Sequence, residues 1–469
     1  MSDKLLKTNT GGAGFYRTAL KLALPIAFQN LLTSCGTLVD TVMIVGLGNA
    51  ATSAIGVAAR FSFLLNVICF GFASGCSTLL SQYWGAKEKN NLLRCLGFAL
   101  SVALGFGLLY AVALALFPAA LAGIFTDDPQ MIALAASYLR VYAVAVPFLV
   151  ISQILSISLR SVECVRLPLI SSGIAVAVNV AVNYCLIGGH FGFPALGLRG
   201  AACGTIVSYA VQAAFLVACM LLGKTPFRGT FRGLFAFDRA FCKTYLRTAS
   251  PVLINEALWA CGTNVYAMIL ARQGMENYAG YTLYENVQQI FFVFFVGICG
   301  ACAVMVGMRV GAGEHGEAYR AAKRFAVMTP ITGVVLGGLL VLLREPLLSL
   351  FPIETAGARQ VASECLLFYG FWIGVHMISY TMVCGIFRSG GDTKTGCLVD
   401  MAGLYFCGIP ALFLVARFLR PTHFAVLLAT MFIAEDVVKT VLCLIRFRSR
   451  KWIRQITSAP EIEEFRMNE

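Results

Sequence analysis

Two stretches of the chain, SCGTLVDTVMIVGLG at residues 34–48 and ACGTNVYAMILARQG at residues 260–274, align at an offset of 226 residues. Their Cys, Gly, Thr, Val and final Gly coincide. The same offset holds at further positions: Pro25/Pro251, Gly71/Gly297, Cys76/Cys302, Gly85/Gly311, Glu88/Glu314, Arg94/Arg320 and Phe125/Phe351. It then drifts by two residues, where LRS at 159–161 faces FRS at 387–389. Agreement this extended excludes chance and shows that the second half of the chain repeats the first.

Composition places most of this repeat in a membrane. Of the 469 residues, 59% are hydrophobic and only 13% are charged. A soluble protein of this size covers itself with roughly a quarter charged residues. This chain lacks that cover, so we expect an integral membrane protein whose helices face lipid.

Twelve apolar runs are long enough to span a bilayer, which takes about 20 residues of helix. Glycines, prolines and charge clusters separate them. The sequence therefore predicts an all-α integral membrane fold of twelve transmembrane helices in two six-helix bundles, related by a parallel internal repeat. The predicted spans are 17–46, 52–84, 91–124, 130–160, 166–188, 198–222, 246–273, 280–311, 318–349, 358–388, 394–418 and 422–447.

The basic residues predict the orientation of these spans. Most of the 36 lysines and arginines lie on the N-terminal flank, in the even-numbered loops and in the C-terminal tail. Under the positive-inside rule this asymmetry predicts a multi-pass protein of the cell (inner) membrane with both termini in the cytoplasm. The net charge of +13 is then explained without nucleic acid, which we do not expect as a partner.

The longest polar connection lies at the middle of the chain and separates the two halves. We expect a cytoplasmic tail at 1–16, an N-terminal lobe at 17–222 and a C-terminal lobe at 246–447. An amphipathic cytoplasmic linker at 223–245 joins the lobes, and a cytoplasmic tail at 448–469 follows them. Because each half has an even number of spans, both halves enter from the cytoplasm. Two parallel bundles that face each other across a cleft are typical of transporters. In such proteins the halves rock, and the cleft opens alternately to each side of the membrane.

The chain resembles the multidrug and toxic compound extrusion (MATE) family from about residue 15 to residue 455. The resemblance rests on LPIAFQNLLTSCGTLVDTVMIVGLG, QYWGAKEKNNLLR, NVAVNYCLIGGHFGFPALGLRGAACGT, RSGGDTKT and RFRSRKW. It implies twelve helices in two lobes. It also implies export of mostly cationic, amphipathic organic compounds, driven by inward sodium or proton flow, with no cofactor.

Asp40 is the first candidate site residue, because an ionisable group at bilayer depth is costly and functional by default. Asn179 and Asn183 are four residues apart and so share one face of the fifth helix. The resemblance implies that Asp40 and these two asparagines form a cluster in the N-terminal lobe. One carboxylate and two amide oxygens can hold sodium, and a desolvated acid can instead exchange a proton. Some family members have a second acid where this chain has Asn183.

Glu256, on the seventh helix after Pro251, is the candidate for ion coupling or substrate binding in the C-terminal lobe. One branch of the family pairs such a glutamate with an aspartate on the tenth helix, where this chain has Met377. Asp400, Tyr266 and Tyr284 are further candidates for the lining of a cleft. The two tyrosines are candidates because aromatic faces attract organic cations. Glu435, Asp436 and Lys439 on the twelfth helix predict a solvated or internally neutralised face.

Two other function classes remain open. A flippase for a lipid-linked precursor, from the same wider superfamily, is the alternative, and a central cavity with converging arginines would favour it. An intramembrane enzyme has little support, because the four histidines form no HExxH pattern and no nucleophile motif occurs. A cluster of His376, an acid and a metal would favour an enzyme. We expect a monomer that contacts lipid and organic cations and performs no enzymatic reaction.

Overall fold

The computed structural model describes residues 12–223, 225–228, 231–351, 355–419 and 422–457. Every predicted span is mainly helical in it, but the span 130–160 is divided into two helices and the helix of span 91–124 ends at Leu116. Most of tail 1–16, the end of tail 448–469 and part of linker 223–245 lie outside the described residues. In the first half the helices are α1 (Gly12–Val45), α2 (Asn49–Gly85), α3 (Lys89–Leu116), α4 (Pro129–Tyr142 and Ala145–Ser161), α5 (Arg166–Gly188) and α6 (Leu198–Leu222).

The second half repeats this order. Its helices are α7 (Arg239–Ala271), α8 (Met275–Gly311), α9 (His315–Leu348), α10 (Ala356–Tyr380, continued by a π-helical turn at Thr381–Phe387), α11 (Thr393–Met401, Ala402–Gly408, Ile409–Leu414 and Val415–Leu419) and α12 (Phe424–Arg448). Short helical turns also occur at Pro118–Ala122, His190–Gly192 and Phe231–Leu234.

Helices α4 and α11 depart from a straight, regular α-helix. The two parts of α4 meet at a bend of 55°. In α11, Ala402–Gly408 and Val415–Leu419 are wound as π-helix. Such wider turns occur often at functional sites.

Length and apolar composition alone identify nine spans among the described residues, or ten when the bent pair of α4 counts as one. The two helices that fail this test are α7 and α12. They carry polar side chains within their apolar runs: Asn255, Glu256 and Asn264 on α7, and Glu435, Asp436 and Lys439 on α12. These are the helices that hold most of the buried charges described below.

The helices pack into two compact units. The N-unit comprises Phe28–Leu80 and Glu88–Leu246, and in it α5 packs against α6, and α4 against α3 and α6. The C-unit comprises the described residues up to Ala27, Ser81–Lys87 and the described residues from Arg247 onward. In it α10 packs against α8, α9 and α12, while α11 packs against α12. The lobe boundaries 17–222 and 246–447 stay a prediction.

Candidate functional site

The N-unit brings the first three predicted site residues together. Asn183 Nδ2 donates a hydrogen bond to Asp40 Oδ1 at 2.7 Å and a second one to Asn179 Oδ1 at 3.3 Å. Asn183 is 1% exposed, Asn179 is buried and Asp40 is partly buried. We call Asp40, Asn179 and Asn183 the N-cluster. It joins α1 to α5 through one acid and two amides.

One acceptor of the N-cluster is unused. Asn183 Oδ1 is buried and accepts no hydrogen bond from any residue that the structure describes. A buried acceptor without a donor costs about 1–3 kcal/mol, so such an atom calls for an explanation. The carboxamide is symmetric in shape, and a half-turn brings Oδ1 to the side that faces Asp40 and Asn179. Three oxygens would then converge on one point, which is a ligand set for a hard cation.

Side chains of α4 and α6 surround the N-cluster. Tyr138 on α4 lies next to Thr205 on α6, and the charge of Asp40 acts on both Tyr138 and Tyr209. On α6, Gly204 lies directly against Asn183, because a Cβ at this glycine would overlap Asn183 Oδ1. The fit of the Asn183 carboxamide therefore depends on a glycine of α6.

Replacing Gly204 with alanine is expected to displace the Asn183 carboxamide from Asp40. The added methyl group overpacks a buried contact, so we expect a loss of about 1–3 kcal/mol in the free energy of unfolding. Unfolding of the purified variant in detergent, compared with the wild type, measures this loss.

Gly105→Ala provides the matched control, because no atom lies within 4 Å of the Cβ position at this glycine of α3 in the same unit. There the alanine stabilises the helix by about 0.5–1 kcal/mol. Equal effects of the two substitutions would contradict the close packing of Gly204 against Asn183.

Glu256 has a cationic partner in the C-unit. Its Oε1 lies 2.6 Å from Arg388 Nη1, and the side chain of Arg388 is buried while that of Glu256 is 12% exposed. Arg388 follows the π-helical turn at the end of α10. Met377, at the position of the absent aspartate, is fully buried. The role of Glu256 in ion coupling or substrate binding stays a prediction.

Asp400 and Tyr266 meet in a second cluster of the C-unit. Lys439 Nζ lies 3.0 Å from Asp400 Oδ1 and 2.6 Å from Glu435 Oε1, and Tyr266 OH donates to Glu435 Oε2 at 2.7 Å. Of the two alternatives predicted for this face of α12, the solvated one is wrong, because Glu435 and Lys439 are each 6% exposed and Asp436 is fully buried. The internally neutralised one agrees with the ion pair of Lys439 and Glu435. The ion pair along the helix is present, but it reaches across to α11 because that helix packs against α12.

Tyr284 lies in a buried aromatic group rather than against a charge. Its ring centroid is 5.8 Å from that of Tyr281 and 5.6 Å from that of Tyr369. Its hydroxyl has no hydrogen-bond partner among the described residues. A place for Tyr284 in a cleft stays a prediction.

His376 contacts an acid that the sequence pattern does not pair with it. Its Nδ1 lies 2.9 Å from both carboxylate oxygens of Asp436, and Trp372 Nε1 donates to Asp436 Oδ2 at 2.7 Å. Within the part of the chain that is described, no group of three His, Cys, Asp or Glu residues has metal-binding geometry.

Sequence reasoning grouped Lys439 with Glu435 but missed its contact with Asp400, and it missed Arg388 and His376 as members of these clusters. Lys439 carried a signal, because a lysine inside an apolar run needs a buried partner. Arg388 and His376 did not, since their partners Glu256 and Asp436 lie on other helices.

Comparisons with known proteins agree with this fold. The family profile MatE matches residues 25–185 and 251–414. The probable multidrug resistance protein NorM of Thermotoga maritima is 24% identical over 92% of both chains. Multidrug and toxin extrusion protein 1 of Xenopus tropicalis is 25% identical over 83% of this chain and 67% of its own length.

Solved structures show the same arrangement of helices. A MATE protein crystallised in complex with MaL6 superposes with a TM-score of 0.86 at 16% identity, covering 96% of this chain and 98% of the other. An outward-facing MATE transporter of the MOP superfamily superposes with a TM-score of 0.82 at 16% identity, covering 92% and 94%. The expected all-α fold of twelve helices in two bundles is thereby confirmed. The family profile covers most of both halves, so the chain belongs to the MATE family of multi-pass membrane transporters.

Proposed function

We propose that the chain is a secondary active multidrug exporter. It moves organic, mostly cationic amphipathic compounds out of the cell by alternating access, and inward flow of sodium or protons drives it. The observation that carries this proposal is the N-cluster: an acid on a membrane helix, held by an amide whose second polar atom has no partner among the described residues. The names of the relatives, multidrug resistance protein and multidrug and toxin extrusion protein, support the substrate class.

Asp40 is the residue of the N-cluster that binds the driving ion. A carboxylate at bilayer depth costs several kcal/mol, and that cost falls when the group takes up a proton or a cation. Proton uptake uses the present geometry, in which Asn183 donates to Asp40 Oδ1. Sodium uptake requires the half-turn of Asn183, after which Oδ1 and Asn179 Oδ1 join the carboxylate as ligands. In both cases binding changes the contact between α1 and α5.

The repeat supports alternating access. The two halves enter the membrane in the same sense and share a helix order, so each can move as a bundle. We further propose a monomer in the cell (inner) membrane, with both termini cytoplasmic and no cofactor, that contacts organic cations and lipid.

Transport driven by separate gradients tests the function. The purified chain is reconstituted into liposomes, and movement of ethidium, an organic cation, is followed by fluorescence while a sodium or a proton gradient is imposed alone. We expect ethidium to accumulate against its gradient only when one of these ion gradients is present, because the chain contains no ATP-binding loop motif.

Protein-free liposomes under the same gradients provide the baseline for leakage. Uphill ethidium movement that persists without any ion gradient contradicts secondary transport. Movement of a lipid-linked headgroup in place of ethidium, under the same conditions, would favour the flippase.

A further inference from the structure

The C-unit contains a buried ion cluster whose charges do not balance. Lys439 Nζ lies 3.0 Å from Asp400 and 2.6 Å from Glu435, so one ammonium serves two carboxylates. All three groups are largely buried. Removing charges from water is expensive, and an excess of one sign is more so. We call Asp400, Glu435 and Lys439 the C-triad.

The remaining oxygens of the C-triad are also engaged. Asn255 Nδ2 donates to Asp400 Oδ2 at 2.9 Å, and Tyr266 OH donates to Glu435 Oε2 at 2.7 Å. The ammonium of Lys439 therefore occupies the place between the two carboxylates that a metal cation would take. The species that can balance the remaining negative charge is a proton.

The groups around the C-triad do not supply the missing positive charge. Arg388, directly after α10, is paired with Glu256 on α7, so the Glu256 carboxylate offsets the positive charge that also acts on Asp400. A protonated His376 on α10 matches Asp436 on α12. Because the two charges cancel within each of these pairs, the C-triad keeps one net negative charge. Among the described residues, the other titratable groups in electrostatic contact with the C-triad or with these two pairs are thiols and phenols, which are neutral at ordinary pH: Cys384, Cys397, Cys443, Tyr266, Tyr369 and Tyr380.

The N-unit shows that the scaffold does not require these charges. There Ser172 on α5 accepts hydrogen bonds from Gln29 on α1 and Gln212 on α6, each at 3.1 Å. Asn255 follows Gln29 by 226 residues and Asp400 follows Ser172 by 228, the two offsets that align the halves. The first, fifth and sixth helices of each half are thus bridged at one place: by Gln–Ser–Gln in the N-unit and by Asn–Asp–Lys in the C-unit.

A second observation points to a ligand at Asp400. Asn255 is 2% exposed, and its Oδ1 has no hydrogen-bond partner within the described ranges of the chain. The same carboxamide donates to Asp400 through Nδ2. An amide beside a charged carboxylate uses its N–H, while an amide beside a protonated carboxyl can use its oxygen to accept the O–H. Asn255 offers a partner for both states of Asp400.

From the charge excess and the unused acceptor we propose that the C-triad binds and releases one proton, shared between Asp400 and Glu435, as a second ion-coupling site besides Asp40.

The step is a proton transfer from solvent to a carboxylate oxygen, with no change in oxidation state. When the proton lies on Asp400, the new O–H donates to Asn255 Oδ1 and Lys439 stays with Glu435. The link between α11 and α12 is then weaker. The π-helical segment Ala402–Gly408 lies on α11 directly after Asp400 and Met401, and such turns allow a helix to shift. Proton exchange itself does not depend on the proposed function, but its role in transport does.

Proton counting tests the site directly. Purified protein in detergent is titrated between about pH 5 and pH 9, the range in which exposed carboxylates and amines scarcely titrate. Asp400→Asn and Glu435→Gln each leave one carboxylate for one ammonium, so we expect each variant to bind one proton fewer than the wild type. Glu317→Gln removes a partly exposed acid of the same unit and should leave the count unchanged.

Unchanged proton counts in both triad variants overturn the proposal. If neither variant folds, infrared spectroscopy of Asp40→Asn protein replaces the count, because this variant keeps the C-triad. The C=O band of a buried carboxyl should still appear and disappear with pH in that protein, and its absence overturns the proposal.

Transport gives an independent readout. In liposomes that carry an imposed proton gradient, Asp400→Asn and Glu435→Gln should lower ethidium accumulation at least tenfold while ethidium binding stays within twofold of wild type. If variants that bind one proton fewer still accumulate ethidium to the wild-type level, the coupling role of the C-triad is overturned. Wild-type protein that shows the count but moves no ethidium contradicts the proposed exporter and leaves the proton site standing.

Discussion

Asp40→Asn protein is expected to fold normally and to lose gradient-driven ethidium transport, down to the rate of protein-free liposomes. The amide keeps the size of the carboxylate, and its oxygen still accepts the hydrogen bond of Asn183 Nδ2. It has no charge, however, so it takes up no proton at neutral pH and does not neutralise the charge of a sodium ion. Initial rates of ethidium accumulation under an imposed ion gradient measure the loss.

Asp127→Asn is the matched control, because Asp127 is an exposed acid of the same unit and precedes α4. It should transport at the wild-type rate. Exchange of ethidium across the membrane without any gradient should persist in Asp40→Asn protein, since substrate binding does not require the driving ion. Gradient-driven transport at the wild-type level in Asp40→Asn would remove Asp40 from the proposed mechanism.

The N-cluster illustrates what sequence alone can predict about a site. Asp40 is identifiable because an acid in an apolar run is costly, and the spacing of Asn179 and Asn183 places both on one helix face. The orientation of the Asn183 carboxamide was not predictable. It depends on Gly204, which packs against it from another helix, and no local pattern records that contact.

The C-unit shows where local patterns mislead. Spacing of i,i+4 between Glu435 and Lys439 is typical of a solvated helix face, and here the face is buried against α7 and α11. The lengths of the apolar runs predicted all twelve helices, but they gave no sign of where the breaks within those helices lie. The bend of α4 and the π-helical turns of α11 depend on packing between helices, which a pattern within one helix does not contain.

The repeat supplies information that local patterns lack. Aligning the halves relates Gln29 to Asn255 and Ser172 to Asp400, and the structure shows the same bridge in both units. Once the repeat is known, the sequence shows that charged groups in one half replace neutral groups at the equivalent place in the other half. It separates residues that the fold needs from residues that a function needs.

Arg388→Met is expected to destabilise the protein by about 3–5 kcal/mol, because it leaves Glu256 buried without its cation. Glu256→Gln should destabilise to a similar degree, since a guanidinium cannot lose its charge in a protein. The double variant Glu256→Gln/Arg388→Met should recover most of the loss, because it removes both charges of the pair. Free energies of unfolding in mixed micelles measure the three variants.

The exposed pair of Glu317 and Arg320 on α9 is the control for this cycle, and its disruption should cost no more than about 1 kcal/mol. A small effect of Arg388→Met, equal to that of Arg320→Met, would contradict a buried ion pair.

The double variant Glu256→Gln/Arg388→Met separates the structural role of Glu256 from its role in transport. If Glu256 takes part in ion coupling, as the sequence predicts, gradient-driven ethidium transport stays low in the double variant although its stability has returned. Transport that returns together with stability would limit Glu256 to holding α7 against α10.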